Sequence, residues 1–128
     1  MSRLLPFLLF LVLIASSSFL SSDAVAQSGD RCTEWMTDRA HDGIDLMVCE
    51  YAYGGSGYNR WRNRYDRDAR ISFEFRFGGG RPSYTASTPI PAHGVSGDSS
   101  CWACADSNGG LSSWAVTRFA LQGDPGFF

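Results

Sequence analysis

From Ile71 to Phe77 the chain alternates without a break: Ile71, Phe73, Phe75 and Phe77 are apolar, while Ser72, Glu74 and Arg76 are polar. A period of two predicts an antiparallel strand with one packed face and one wet face. Burying those four side chains would stabilise a fold by about 6 to 12 kcal/mol before entropy costs, and a one-residue register slip would expose all four. Ile44 to Tyr53 is apolar in both phases, with Ile44, Leu46 and Val48 on one side and Met47, Cys49, Tyr51 and Tyr53 on the other. That pattern predicts a strand covered on both faces. Tyr58 to Tyr65 alternates Tyr58, Arg60, Arg62 and Arg64 against Asn59, Trp61, Asn63 and Tyr65, and Trp114 to Leu121 supplies a last strand. Ser83 to Thr88 reads as a short polar strand that Pro89-Ile90-Pro91 should stop, because proline cannot donate to a ladder.

Turn chemistry separates these runs. Asp42-Gly43 is a hairpin signal, Gly54-Gly55-Ser56-Gly57 a flexible loop, and Asp66-Arg67-Asp68, Gly78 to Pro82 and Asn108-Gly109-Gly110 are further turns. Thr33 to Arg39 is ambiguous between a strand and one helical turn. Short strands recurring about every 8 to 12 residues, with no helix longer than a turn or two, predict an all-β chain. The expected architecture is a small antiparallel β-sandwich, immunoglobulin-like and stapled by disulfides, rather than a closed barrel whose corner glycines would recur more regularly.

Ahead of this domain, Arg3 precedes the apolar run Leu4 to Ala15, and a serine-rich stretch leads to Ala24-Val25-Ala26. This order is that of a secretory signal peptide over residues 1–26, cleaved after Ala26, since the run is too short for the roughly 20 residues of a spanning helix. The expected organisation is then a flexible N-terminus at 27–31, one domain at 32–122 and a loose aromatic tail at 123–128. No transmembrane segment is expected after cleavage, and the destination is secreted or periplasmic.

All 11 basic residues are arginine, against 13 acids, for a net charge of -2. That balance argues against nucleic acid as the main partner, and without lysine no Schiff base or lysine nucleophile can form.

Four cysteines behind an export signal point to an oxidising compartment and a disulfide framework with three possible connectivities. An ideal two-residue turn at Asp42-Gly43 would place Cys32 opposite Tyr53, four residues from Cys49. At about 13 Å along the strand that is too far for a bond. A local pair between Cys32 and Cys49 therefore requires that residues 32–39 not be a regular hairpin arm. Cys101-Trp102-Ala103-Cys104 has the spacing of a thiol-disulfide oxidoreductase, but Ala105 to Gly110 reads as a turn rather than the helix that activates such a cysteine. A structural clip is the favoured reading. Zinc held by the pair with His41 or His93 lacks ligand spacing, and Ala105 after Cys104 excludes covalent haem. No cofactor and no metal are expected.

Neither Gly54-Gly55-Ser56-Gly57 nor Gly94-Val95-Ser96-Gly97 completes a nucleophile elbow. Asp42, Asp45, Asp66 and Asp68 lack the further oxygens of a calcium site and read as turn caps. The densest unusual stretch is Tyr58 to Arg70. Arg60, Arg62 and Arg64 beside aromatic rings could hold an anionic glycan, or could guard an edge strand while pairing with Asp66, Asp68 and Glu74. Tyr53, Tyr58 and Trp61 could instead stack on a sugar. The sequence thus leads to an exported, non-catalytic module with a binding or structural role, whose partner is a glycan or an envelope protein and whose contact region runs from Tyr53 through Arg64.

Overall fold

The computed structural model describes residues 29–128, so the expected signal peptide at 1–26 lies outside the described residues. Eight strands appear among them: β1 (Arg31–Cys32), β2 (Met36–Thr37), β3 (Ile44–Glu50), β4 (Gly57–Asn63), β5 (Ala69–Phe77), β6 (Tyr84–Ile90), β7 (Ser99–Cys101) and β8 (Leu111–Leu121). They form two antiparallel sheets. The larger runs β1-β3-β4-β7, with β2 also on β3, and the smaller runs β6-β5-β8. The described domain is all-β, as the alternating pattern predicts, and residues 31–128 form a single unit.

The inward side chains of both sheets share one core. Ile44, Leu46, Val48 and Trp61 come from the larger sheet and Ile71, Phe73, Phe75, Ile90 and Leu121 from the smaller. β5 buries Ile71, Phe73 and Phe75 and leaves Arg76 exposed, the alternation its sequence dictates. β3 is buried at every position. Its second face is covered by Cys32, Trp35, Tyr51 and Tyr58, which pack with Met47 and Cys49. Asn63 also points inward and is fully buried, but its amide donates to the carbonyls of Arg67 and Ile90 and accepts from Tyr65 N–H, so no polar atom is stranded.

Three expectations need correction. The turn at Asp42-Gly43 is not a two-residue hairpin, because Thr37 pairs with Asp45 and Met36 with Leu46. That longer connection shifts the register by three residues, and a further one-residue irregularity between β2 and β1 sets Cys32 opposite Cys49. Ser83 to Thr88 does not stop at Pro89 either: β6 continues to Ile90. It is an edge strand, the position in a sheet that tolerates proline. The aromatic tail is docked rather than loose. Arg70 and Arg118 lie over the Phe128 ring at 5.6 and 3.8 Å, and Arg67 pairs with Asp124 at 2.8 Å.

Both disulfides are local, Cys32 with Cys49 and Cys101 with Cys104, and no described cysteine is free. Such a framework belongs to an oxidising compartment. No helix among the described residues is long and apolar enough to cross a membrane.

Candidate functional site

Because β4 alternates, sending Asn59, Trp61 and Asn63 inward leaves Tyr58, Arg60 and Arg62 on the outer face of the larger sheet. There they stand across from Cys49, Met47 and Asp45 of β3. β4 begins at Gly57, which lies so close to the Cys49 carbonyl that any side chain would collide with it. Tyr51, just past β3, packs its ring on Tyr58 at 4.9 Å and stacks almost parallel on Tyr53 at 5.0 Å. Three tyrosine rings thus form a ladder from the sheet out to the β3–β4 loop, ending on Tyr53, which is 79% exposed. Arginines cover the rest of the face. The Arg62 guanidinium sits 4.6 Å over Trp35, and that of Arg60 5.8 Å from the Tyr58 ring.

These arginines are paired, though not with the partners expected. Asp45, fully buried, accepts from Arg62 Nε at 2.8 Å, Arg64 Nε at 2.9 Å and Thr37 Oγ1 at 2.8 Å. Burial alone would raise its pKa, but the hydrogen bonds from Arg64, Arg62 and Thr37 outweigh burial and hold the carboxyl below its ordinary value. Asp45 is therefore the ion-pairing centre of the sheet's outer face and not a turn cap. Arg60 forms a two-pronged pair with Asp98 at 2.7 and 3.1 Å, which raises the guanidinium pKa. Glu74 pairs with Arg76. Asp68 accepts from Ala92 N–H, 24 residues away, at 2.9 Å and so ties its turn to the segment after β6.

Like Tyr58, which is 7% exposed and packed with Met47 and Cys49, Trp61 is an expected contact residue that the fold buries. It is 1% exposed and packs against Phe73 at 5.0 Å and Trp114 at 5.7 Å, so its ring has no face to offer a sugar. Its backbone explains Ser96: the Ser96 hydroxyl accepts from Trp61 N–H at 2.9 Å and donates to the Gly97 carbonyl at 3.1 Å.

Cys101 ends β7 and Cys104 ends a 3-10 turn at Trp102–Cys104. They are 7% and 5% exposed, leaving little sulfur for a substrate thiolate to attack. Among the described residues no three His, Cys, Asp or Glu side chains stand together as a metal-ligand group. A cavity of about 410 Å³ is lined by residues of β1, β2, β3 and the start of β8, including Met36, Leu111 and Trp114, with the Arg31–Glu50 pair on its wall. It carries no pairing of nucleophile and base.

Comparisons with protein-family models, with curated proteins and with solved structures gave no match. The surface chemistry alone must therefore indicate a role. Four residues that shape this region escaped the sequence reading. Tyr51 and Trp35 complete the outer aromatic layer, Asp98 pairs with Arg60, and Asn108 ties two loops together. Only Tyr51 carried a signal, through its phase with Cys49 and Tyr53. Asp98 lies 38 residues from Arg60, a pairing that pattern alone does not reveal.

Proposed function

We propose that this chain is an exported, non-catalytic binding module with an immunoglobulin-like β-sandwich architecture. It acts in the periplasm or outside the cell and engages a glycan or an envelope protein through the outer face of its larger sheet and the adjoining β3–β4 loop. The observation that carries this reading is the tyrosine ladder, Tyr58 to Tyr51 to Tyr53, which starts at Tyr58 beneath the Arg60 guanidinium and ends on the exposed Tyr53 ring. A rigid aromatic ring beside charged groups gives contact area at low entropic cost. Strand adjacency supports the architecture. The orders β3-β4-β7 and β6-β5-β8 match the neighbour relations of A-B-E and C′-C-F in an immunoglobulin sandwich. The disulfides differ from that type, since neither joins one sheet to the other.

The test is a binding screen of the purified mature protein against polysaccharides, isolated cell-wall material and envelope proteins, repeated with Arg60→Ala and Tyr53→Ala. A bound ligand that both variants lose supports the reading. A ligand that neither variant affects, or no ligand at all, removes it. An oxidoreductase would instead show disulfide exchange, which the burial of Cys101 and Cys104 disfavours.

A further inference from the structure

The two most exposed large aromatic residues of the described chain, Tyr53 at 79% and Trp102 at 58%, lie far apart in sequence. They sit on loops held together by one side chain. Asn108 Nδ2 donates to the Gly55 carbonyl at 2.8 Å and to the Trp102 carbonyl at 3.1 Å, clasping the β3–β4 loop to the 3-10 turn. Asn108 is itself fixed, because its N–H bonds the Ala105 carbonyl at 3.0 Å and Ala105 is fully buried.

Each exposed ring is backed on one side. Tyr53 stacks on Tyr51 with 9° between the planes, and the Arg81 guanidinium lies 4.6 Å over Trp102. Backing removes rotamer freedom before a ligand arrives, and the high exposure leaves the opposite face of each ring open. Space beside Tyr53 is also open, since Gly54 and Gly55 have no neighbour where a side chain would stand, although Gly54 N–H and the Gly55 carbonyl are already bonded to Tyr51 and Asn108. Sugar hydroxyls could reach the remaining peptide groups there.

We propose that Tyr53 and Trp102 together form a glycan-binding tip, with Asn108 as the residue that positions the two loops. Its ligand is a neutral, β-1,4-linked chain of gluco-configured pyranose rings. Such rings carry their hydroxyls equatorially, so axial C–H bonds fill both flat faces and suit stacking on an aromatic ring. The surroundings favour a sugar over a lipid surface, because the loops between the two rings carry Gly54, Gly55 and the Asn108 amide and Arg81 lies over Trp102, rather than further aliphatic side chains. This rests on the binding-module reading above and names its ligand.

The mature protein is titrated with cellohexaose and chitohexaose, following intrinsic tryptophan fluorescence and calorimetry, beside amylose oligomers and vesicles of zwitterionic and anionic phospholipid. Binding of a β-1,4-linked hexaose, weakened about tenfold or more by Tyr53→Ala and by Trp102→Ala and recovered in Tyr53→Phe, is the expected result. Asn108→Ala should weaken it while leaving the thermal midpoint near the parent's, because the clasp orders loops rather than the core. No hexaose binding up to about 10 mM overturns the proposal, as does binding that both ring variants retain. Vesicle binding that needs both rings, without hexaose binding, overturns it as well. Hexaose binding lost in Arg60→Ala but kept in Trp102→Ala would discard the tip and leave the wider binding reading intact.

Discussion

Asp45 and Arg62 face each other across β3 and β4, joined at 2.8 Å, with the carboxylate fully buried and the guanidinium about one third exposed. Arg64 reaches the same carboxylate, and it also donates to the Asp42 carbonyl in the preceding turn. One acid thus neutralises two of the arginines that make Tyr58 to Arg70 conspicuous in the sequence. Asp45→Ala should lower unfolding free energy by about 1 to 3 kcal/mol, because Thr37 loses its acceptor and two partly exposed guanidinium groups lose their carboxylate. Arg62→Ala should cost less, since Arg64 still holds the carboxylate. Urea unfolding of the two variants checks the order.

The same carboxyl sets a pH dependence. Asp45 titrates below its unfolded value of about 4, so its stabilising contribution is complete above that value and is lost as pH falls through the lower folded value. Urea midpoints measured from pH 7 to pH 2 should fall in acid for the parent. Asp45→Asn should start lower and show a shallower fall. A variant curve parallel to the parent's would assign acid sensitivity to other groups.

How much of this was legible beforehand follows from the range of each interaction. β5 was readable because its alternation is local, and the face it buries meets Ile44, Leu46 and Trp61 of the larger sheet. The two-sided burial of β3 was likewise written in its residues, and what covers it, Tyr58 and Trp35, is supplied from other segments. The Asp42-Gly43 turn misled because the pair that fixes the register is the disulfide at its far end, opposite Cys49. Arg60, Arg62, Arg64 and Trp61 looked alike as contact residues, yet one step of strand phase sends Trp61 into the core and the arginines outward. Trp102 gave no sign of its exposure, which depends on the 3-10 turn that the Cys101–Cys104 bond closes.

Loop length ranks the two disulfides. Cys32 and Cys49 are separated by 17 positions and Cys101 and Cys104 by 3. Chain entropy then assigns about 3 kcal/mol to the first and about 2 kcal/mol to the second. Replacing Cys32 and Cys49 by serine should therefore lower the thermal midpoint further than replacing Cys101 and Cys104, as differential scanning calorimetry would show. The first pair also anchors β1, together with the Arg31–Glu50 ion pair and the Thr33–Val48 hydrogen bonds beside it.

Burial of Cys101 and Cys104 makes the redox outcome specific. The parent protein should not accelerate insulin reduction by dithiothreitol, and its Cys101–Cys104 bond should resist reduction until the domain unfolds. Thiol labelling across a denaturant gradient would follow that exposure. Labelling at zero denaturant, or insulin reduction that disappears in Cys104→Ser, would return the pair to the candidate active-site residues.

Trp61 and Tyr53 separate core from surface most sharply. Trp61 is enclosed by Phe73, Phe75 and Trp114, so Trp61→Ala opens a cavity at the centre of the shared core. A loss of about 3 to 5 kcal/mol follows from buried aromatic truncations. Tyr53→Ala removes only an exposed ring stacked on Tyr51 and should stay within about 1 kcal/mol of the parent. Ligand binding should move the other way, surviving whatever fraction of Trp61→Ala still folds and weakening in Tyr53→Ala. Equilibrium unfolding and binding measured on the same two preparations would show the crossing. A Trp61 variant that folds fully yet no longer binds would place that ring in contact with ligand, against its 1% exposure.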